Sequence, residues 1–156
     1  MALTARRHTR NDADLAEVLT LIRTAFAYMD GVIDPPSSVH HLTLADLRRH
    51  CAHDELWSLG PPLAACVLLK PEPDALHIGK LAVSPDQQGR GHARRLVGLA
   101  EKRAKALHLP ALDLQSRVEL TRNHTVFASL GFEETARTAH PGFPRPTSIR
   151  FRKRLA

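Results

Sequence analysis

The amino-acid sequence predicts an α/β (α+β) fold in a single domain spanning residues 1–156, with helices packed on a mixed sheet. Three observations predict it. The chain has 156 residues, near the commonest domain size of roughly 100 to 150. Its apolar and turn-forming residues fall in the order strand, helix, helix, three strands, helix, strand, helix, two strands, which a sheet covered by helices requires. The stretch Leu81-Ala-Val-Ser-Pro-Asp-Gln-Gln-Gly-Arg-Gly-His-Ala-Arg94 then carries an apolar strand through a glycine turn into a helix. No internal repeat, low-complexity tract or linker divides the chain.

Residues 3 to 9 predict a short first strand on the weak alternation of Leu3, Ala5 and Arg7. Asn11, Asp12 and Asp14 offer capping side chains to a helix from about 13 to 27. Leu15, Val18, Leu19, Ile22 and Phe26 line one face of that helix. Two prolines and a glycine make Tyr28 to Ser38 a loop, long enough to wall a substrate site. Thr43-x-x-Asp46 resembles a capping box opening a second helix, in which Leu44, Leu47 and Cys51 share a face.

Glu55 to Leu59, Gly60-Pro61-Pro62 and Leu63 to Leu69 read as an antiparallel hairpin. Pro71 to Asp74 forms another turn and Leu76 to Val83 a third strand of this group. Pro85 removes a backbone donor, so that strand stops there. A helix follows from Gly91 to about Leu107, with Leu96, Ala100, Ala104 and Leu107 inward. Lys102, Arg103, Lys105 and His108 complement its negative end, and Pro110 follows the stop. Ala111 to Gln115 is a strand and Thr121 to Leu130 a helix. Gly131 predicts a left-handed cap that lays Phe132 on Phe127. Glu133 to Ala139 and Thr147 to Lys153 complete the sheet around the loop Pro141 to Pro146.

Composition narrows the function classes. No apolar run approaches the roughly 18 residues that span a bilayer, so no membrane association is expected. Met1 to Arg7 lacks a hydrophobic signal core, and Cys51 and Cys66 lack disulfide or metal-ligand spacing; both point to the cytoplasm. The formal net charge is +6, yet the basic residues are dispersed and aromatics make up only 4% of the chain. That footprint argues against nucleic acid as a direct partner. His40, His41, His50 and His53 span a loop and a helix without a tight ligand pattern, so no metal is expected.

The glycine turn is the most informative motif. Gly89 and Gly91 permit backbone angles and close approaches that a side chain would block, and the helix start behind them presents unpaired N–H groups that suit a phosphate. A P-loop would need Lys-Ser or Lys-Thr after its glycines, and none follows. A dinucleotide fold would need a third small residue where Arg94 stands, in an early βαβ unit. Both readings fall.

Gln88-Gly-Arg-Gly91-His-Ala93 resembles the Gln/Arg-x-x-Gly-x-Gly/Ala segment of the GNAT superfamily of N-acetyltransferases. It follows Leu81-Ala-Val-Ser-Pro85 at the spacing those proteins use. Asn123 to Phe132, ending Phe-Ala-Ser-Leu-Gly-Phe, looks like the helix and turn near the end of the family pattern. The resemblance implies a mostly antiparallel sheet of about six to seven strands flanked by about four helices. It also implies that Gln88, Gly89, Arg90, Gly91, His92, Ala93 and Arg94 wrap the pyrophosphate of acetyl-CoA. Leu81, Ala82 and Val83 would pair with its pantetheine arm, and Asn123 and Phe127 would lie beside the pantetheine or the thiol. A homodimer is what the resemblance suggests.

Acetyl transfer to an amine needs a base for the nitrogen and a proton for the departing thiolate. Many relatives place a tyrosine on the last helix for the second task, whereas here Phe127 stands in that region. Tyr28, the only tyrosine, is the leading candidate acid, with Ser116 or solvent as substitutes. His77 is the leading base, sharing a strand face with Gly79, Leu81 and Val83 if no bulge intervenes; His124 and Glu119 are weaker candidates. Asp30 and Asp34 could attract a cationic amine or simply cap turns. The expected activity is direct transfer from acetyl-CoA to a primary amine of a small molecule. Alternatives are a protein or aminoacyl-tRNA acceptor, or a non-catalytic acyl-CoA sensor.

Overall fold

The computed structural model describes residues 3–156. Residues 1 and 2, the start of the segment read for a signal core, lie outside the described residues. In chain order the elements are β1 (Thr4–Arg7), α1 (Leu15–Phe26), α2 (Leu44–His53), β2 (Glu55–Gly60), β3 (Ala65–Pro71), β4 (Leu76–Val83), α3 (His92–Ala106), β5 (Ala111–Arg117), α4 (Thr121–Ser129), β6 (Glu133–Thr138) and β7 (Ser148–Arg154). All seven strands join one sheet in the order β1-β2-β3-β4-β5-β7-β6. Only β4 and β5 run parallel. A parallel pair needs a crossover, and α3 supplies it. No helix among the described residues is long and apolar enough to cross a membrane.

Each face of the sheet carries its own core. On one face Leu15, Val18, Leu19 and Ile22 of α1 join Leu47 of α2 over Leu56, Cys66 and Ala82. On the other, Leu96, Val97, Ala100 and Ala104 of α3 pack on Val67, Leu69, Leu76, Ile78, Leu112 and Leu114. The apolar spacing of α1 and α3 therefore buries the faces it predicts, except that Leu107, expected inward, lies just past the end of α3 and is exposed. Arg103 ties α3 to β2 through paired hydrogen bonds of 2.8 and 2.9 Å to the Glu55 carboxylate, which also accepts from Trp57 Nε1 at 2.8 Å.

Local signals are met at the start of α2 and the end of α4, whereas the side-chain cap expected at the start of α1 is not formed, Asp14 standing at the N-cap without such a bond. Thr43 Oγ1 accepts from the Asp46 N–H at 3.1 Å while Asp46 accepts from the Thr43 N–H at 2.9 Å, completing the capping box of α2. Gly131, at φ 96°, ends the turn after α4. The Phe132 N–H reaches the Phe127 carbonyl at 3.0 Å and the Gly131 N–H the Ala128 carbonyl at 3.0 Å, the two bonds of a Schellman stop. The Phe127 and Phe132 rings meet edge to face, 6.2 Å apart.

Strand ends differ from expectation where prolines and pairing compete. β3 starts at Ala65 rather than Leu63, because Gly60 to Leu63 turn the corner between β2 and β3. β5 runs on to Arg117 because β7 pairs with it as far as Ser148. The regular alternation assumed for β4 is also corrected. Cys66 pairs with Ala82 but Leu68 with Gly79, so Lys80 and Leu81 together oppose Val67. Lys80 adopts φ 46° in this bulge, a left-handed angle rare for a residue with a side chain. His77 consequently stands on the opposite face from Leu81 and Val83, which join Leu76 and Ile78 in the α3 core.

Candidate active site

β4 and β5 pair at only three positions, Leu76 with Leu112, His77 with Asp113 and Ile78 with Leu114. Beyond Ile78 the two strands part. The β5-facing backbone of Gly79 to Val83 is left without a strand partner, and a cleft of about 300 Å³ opens between the strands. Leu81, Leu114 and Phe127 supply apolar wall. The α1–α2 connection closes one side with Met29 and Ile33, and His140 from the β6–β7 loop closes another. At the apex of the parting strands, His77 Nδ1 meets Asp113 Oδ1 at 2.5 Å.

The glycine turn lies at the other end of the parted strand. Gly89 and Gly91 take φ values of 78° and 83°, and Gly91 is the N-cap of α3. No side chain caps that helix, so its first N–H groups face outward with the positive end of the dipole. Gln88, Arg90 and Arg94 are exposed around it, with His92 and Ala93 half-buried. A Cβ added at Gly89 or Gly91 would meet nothing within 4 Å. The glycines are therefore required by backbone angle, and the space beside them is open to a phosphate group. An uncapped helix start, a free strand edge and an apolar cleft together fit a ligand with an anionic head and an extended, acyl-bearing arm.

The candidate proton-transfer residues separate into two groups. Asn123 lines the cleft, and its Nδ2 donates to Tyr28 Oη at 3.0 Å. The structure thus brings together two residues that the sequence nominated for different tasks. Tyr28 itself is about half exposed, at 53%. Ser116 Oγ, on the cleft wall, is buried without a hydrogen-bond partner. Glu119 accepts from the Asp34 N–H at 3.1 Å through one carboxylate oxygen, and its other oxygen is buried and unpartnered.

His77 is not among the residues lining the cleft. Its ring is engaged with Asp113, and Glu72 lies 3.9 Å away. His124 Nε2 donates to the Arg117 carbonyl at 2.9 Å, and its ring lies tilted against Phe151. Asp30 is bonded to His40 at 2.7 Å and Asp34 lies 3.4 Å from Arg145, and neither lines the cleft. Cys66 is wholly buried, and burial pushes its thiol up to about 12.

Lys80, Ser38 and Arg117 line the cleft without having been nominated from the sequence. Lys80 carried one readable signal, a charge inside an otherwise apolar strand. Ser38 and Arg117 reach the site only through the course of the α1–α2 connection and the extension of β5.

The family model described as the Acetyltransferase (GNAT) family matches residues 17–132, which include the bulged strand, the glycine turn and α4. The chain belongs to the GNAT acetyltransferase family. Its fold is similar to that of the PaiA N-acetyltransferase from Thermoplasma acidophilum in complex with coenzyme A, at TM-score 0.81 and 14% identity over 99% of this chain and 100% of that one. A GNAT family acetyltransferase from Elizabethkingia anophelis with acetyl-CoA bound superposes at TM-score 0.72 and 17% identity, covering 99% of each chain. The ribosomal-protein-S18-alanine N-acetyltransferase from Escherichia coli is similar at TM-score 0.71 and 19% identity, over 98% of this chain and 95% of that one. No curated protein is matched by sequence. At these identities the GNAT likeness to solved structures concerns the fold.

Proposed function

We propose that this GNAT protein transfers an acetyl group from acetyl-CoA directly to a primary amine of a small molecule, in the cytoplasm. The observation that carries the proposal is the parting of β4 and β5 beside an uncapped α3, which offers one continuous path for the pyrophosphate, pantetheine and acyl end of the donor. Gln88 to Arg94 hold the phosphates through backbone N–H groups, and Leu81 to Val83 present a free strand edge to the pantetheine arm.

In the transfer the amine nitrogen attacks the acetyl carbonyl carbon, a C–N bond forms, the C–S bond breaks, and the thiolate takes a proton. Backbone N–H groups at the β4 bulge stabilise the charge that develops on the carbonyl oxygen. Tyr28 supplies the proton: its oxygen accepts from Asn123, which leaves the phenolic O–H free to donate. Glu119, with an unpartnered buried oxygen next to cleft-lining Leu120, is the favoured base, acting through water. His77 instead holds the apex of the cleft. Neither thiol serves as a nucleophile, since Cys66 is locked in the core with its pKa raised and Cys51, away from the cleft, is shifted the same way by burial.

Thiol release from acetyl-CoA across a panel of amines tests this reading. Release above the hydrolysis background with at least one small amine is the expected result. Binding of acetyl-CoA with no release on any amine would identify a sensor, and release only with a protein or aminoacyl-tRNA would move the acceptor class.

A further inference from the structure

The cleft carries charge that acetyl transfer alone does not use. Lys80 enters it from the β4 bulge, and its Nζ donates to Ser38 Oγ at 2.9 Å. Among the described residues no carboxylate forms an ion pair with it. Burial first, then the repulsion of Arg117, depresses its pKa below the ordinary lysine value. Arg117, at the end of β5, spends its guanidinium on the carbonyls of Pro35 and Pro36, at 2.7 and 3.2 Å. Glu119 and Asp34 moderate its charge without reaching ion-pair distance. No Asp or Glu lines the cleft.

Two cations in a partly desolvated cleft repel each other. An entering oxyanion relieves that cost. The donor does not supply one there, because the phosphates of coenzyme A belong at the α3 start and its thioester end is neutral. The acceptor has to bring it. A diamine would meet only Glu119 beside the cleft, the carboxylate taken above as the base, since Asp30 and Asp34 are engaged elsewhere.

We propose that the acceptor is a small primary amine bearing an oxyanion, carboxylate or phosphate, and that Lys80 and Ser38 form the pocket that holds it. The inference rests on the acetyl-transfer reading above and adds the acceptor's chemical class. The cleft of about 300 Å³ must also admit the acetyl end, so only a few heavy atoms separate the amine from the anion.

The test compares thiol release with glycine, β-alanine and 2-aminoethyl phosphate against glycinamide, 1,4-diaminobutane and an alanyl peptide amide. An oxyanion-bearing acceptor is expected to exceed glycinamide by at least about tenfold in kcat/KM. The carboxylate and phosphate arms decide which anion is preferred. Lys80→Met should shrink that ratio to within about threefold, chiefly through KM, and Lys80→Arg should restore most of it. Equal or faster turnover of glycinamide, the diamine or the peptide would overturn the inference and leave acetyl transfer standing. An equal fall of kcat on every acceptor in Lys80→Met would also overturn it, assigning Lys80 to proton transfer.

A separate readout stands apart from turnover. Calorimetry of N-acetylglycine and N-acetyl-2-aminoethyl phosphate on the CoA-loaded protein should show one of them binding, and binding weakened at least about tenfold in Lys80→Met. Binding of neither would sink the anion pocket. Absence of thiol release together with absence of acetyl-CoA binding would instead overturn the acetyl-transfer reading beneath it.

Discussion

At the scale of single residues, the site is defined by polar atoms whose partners are chosen or missing. Tyr28 and Asn123 lie far apart in sequence, and one hydrogen bond ties exposed Tyr28, which does not itself line the cleft, to cleft-lining Asn123. Tyr28→Phe is expected to lower kcat by about a hundredfold, the reach of a positioned general acid, with acetyl-CoA affinity unchanged. Stopped-flow thiol detection measures the first and calorimetry the second; full kcat in the variant would return the proton to solvent or Ser116. The cofactor-side residues were legible from sequence because a glycine pair must obey a backbone rule. The acceptor-side residues were not. Ser38 and Arg117 acquire their meaning only when segments far apart in sequence meet, and a single chain carries no local mark of that meeting. The strand face read for His77 depended on uninterrupted alternation, and one extra residue changed that face.

At the scale of elements, two helix features carry distinct loads. The start of α3 is open and functional. Gly91→Glu would introduce bulk, strain at φ 83° and negative charge where phosphate belongs. It should weaken acetyl-CoA binding by at least about tenfold in calorimetry, while circular dichroism stays that of the parent. The far end of α3 is structural. Burial pushes the Glu55 carboxyl up, but the hydrogen bonds from Arg103 and Trp57 outweigh it and hold it below the usual carboxylate range. The stability from this pairing is complete above the unfolded carboxyl's pKa and is lost as pH falls through the lower, folded one. Arg103→Met leaves Glu55 buried with one partner, so it should cost about 3 kcal/mol near neutrality. Because burial then prevails and the folded pKa rises above the unfolded one, the folded variant takes up the proton more readily, so its deficit should shrink as pH falls through that raised pKa, which denaturant melts at several pH values would show.

At the scale of the molecule, two cores on opposite faces of one sheet hold it while β4 and β5 part, and the α3-side core lends Leu81, Leu114 and Phe127 to the cleft wall. The element order and the core faces of α1 and α3 were readable because each follows from periodicity and caps. A mixed sheet was readable, but not which strands run parallel, and the residue at which β4 and β5 diverge is set by packing. The same architecture makes donor binding a stabilising event for the whole fold. Acetyl-CoA at a hundredfold excess over its Kd should add about 2.7 kcal/mol and raise the melting temperature by about 5–10 °C. A melting curve indifferent to acetyl-CoA would remove the donor site.

The β4 bulge also says something about what the fold itself demands. With Leu68 opposite Gly79 and Cys66 opposite Ala82, Val67 would pair with Leu81 in unbroken register were Lys80 absent. Ile78, Leu81 and Val83 would keep their core, and so would Ala82 on the other face. The chain is therefore one residue longer here than its architecture needs, and the surplus residue is the cation that enters the cleft. Deleting Lys80 should leave a folded protein that melts within a few degrees of the parent, and a far lower melting point would contradict the surplus. The scaffold and the acceptor site are in that sense separable at a single position, so acceptor preference can be rewritten there without renegotiating either core.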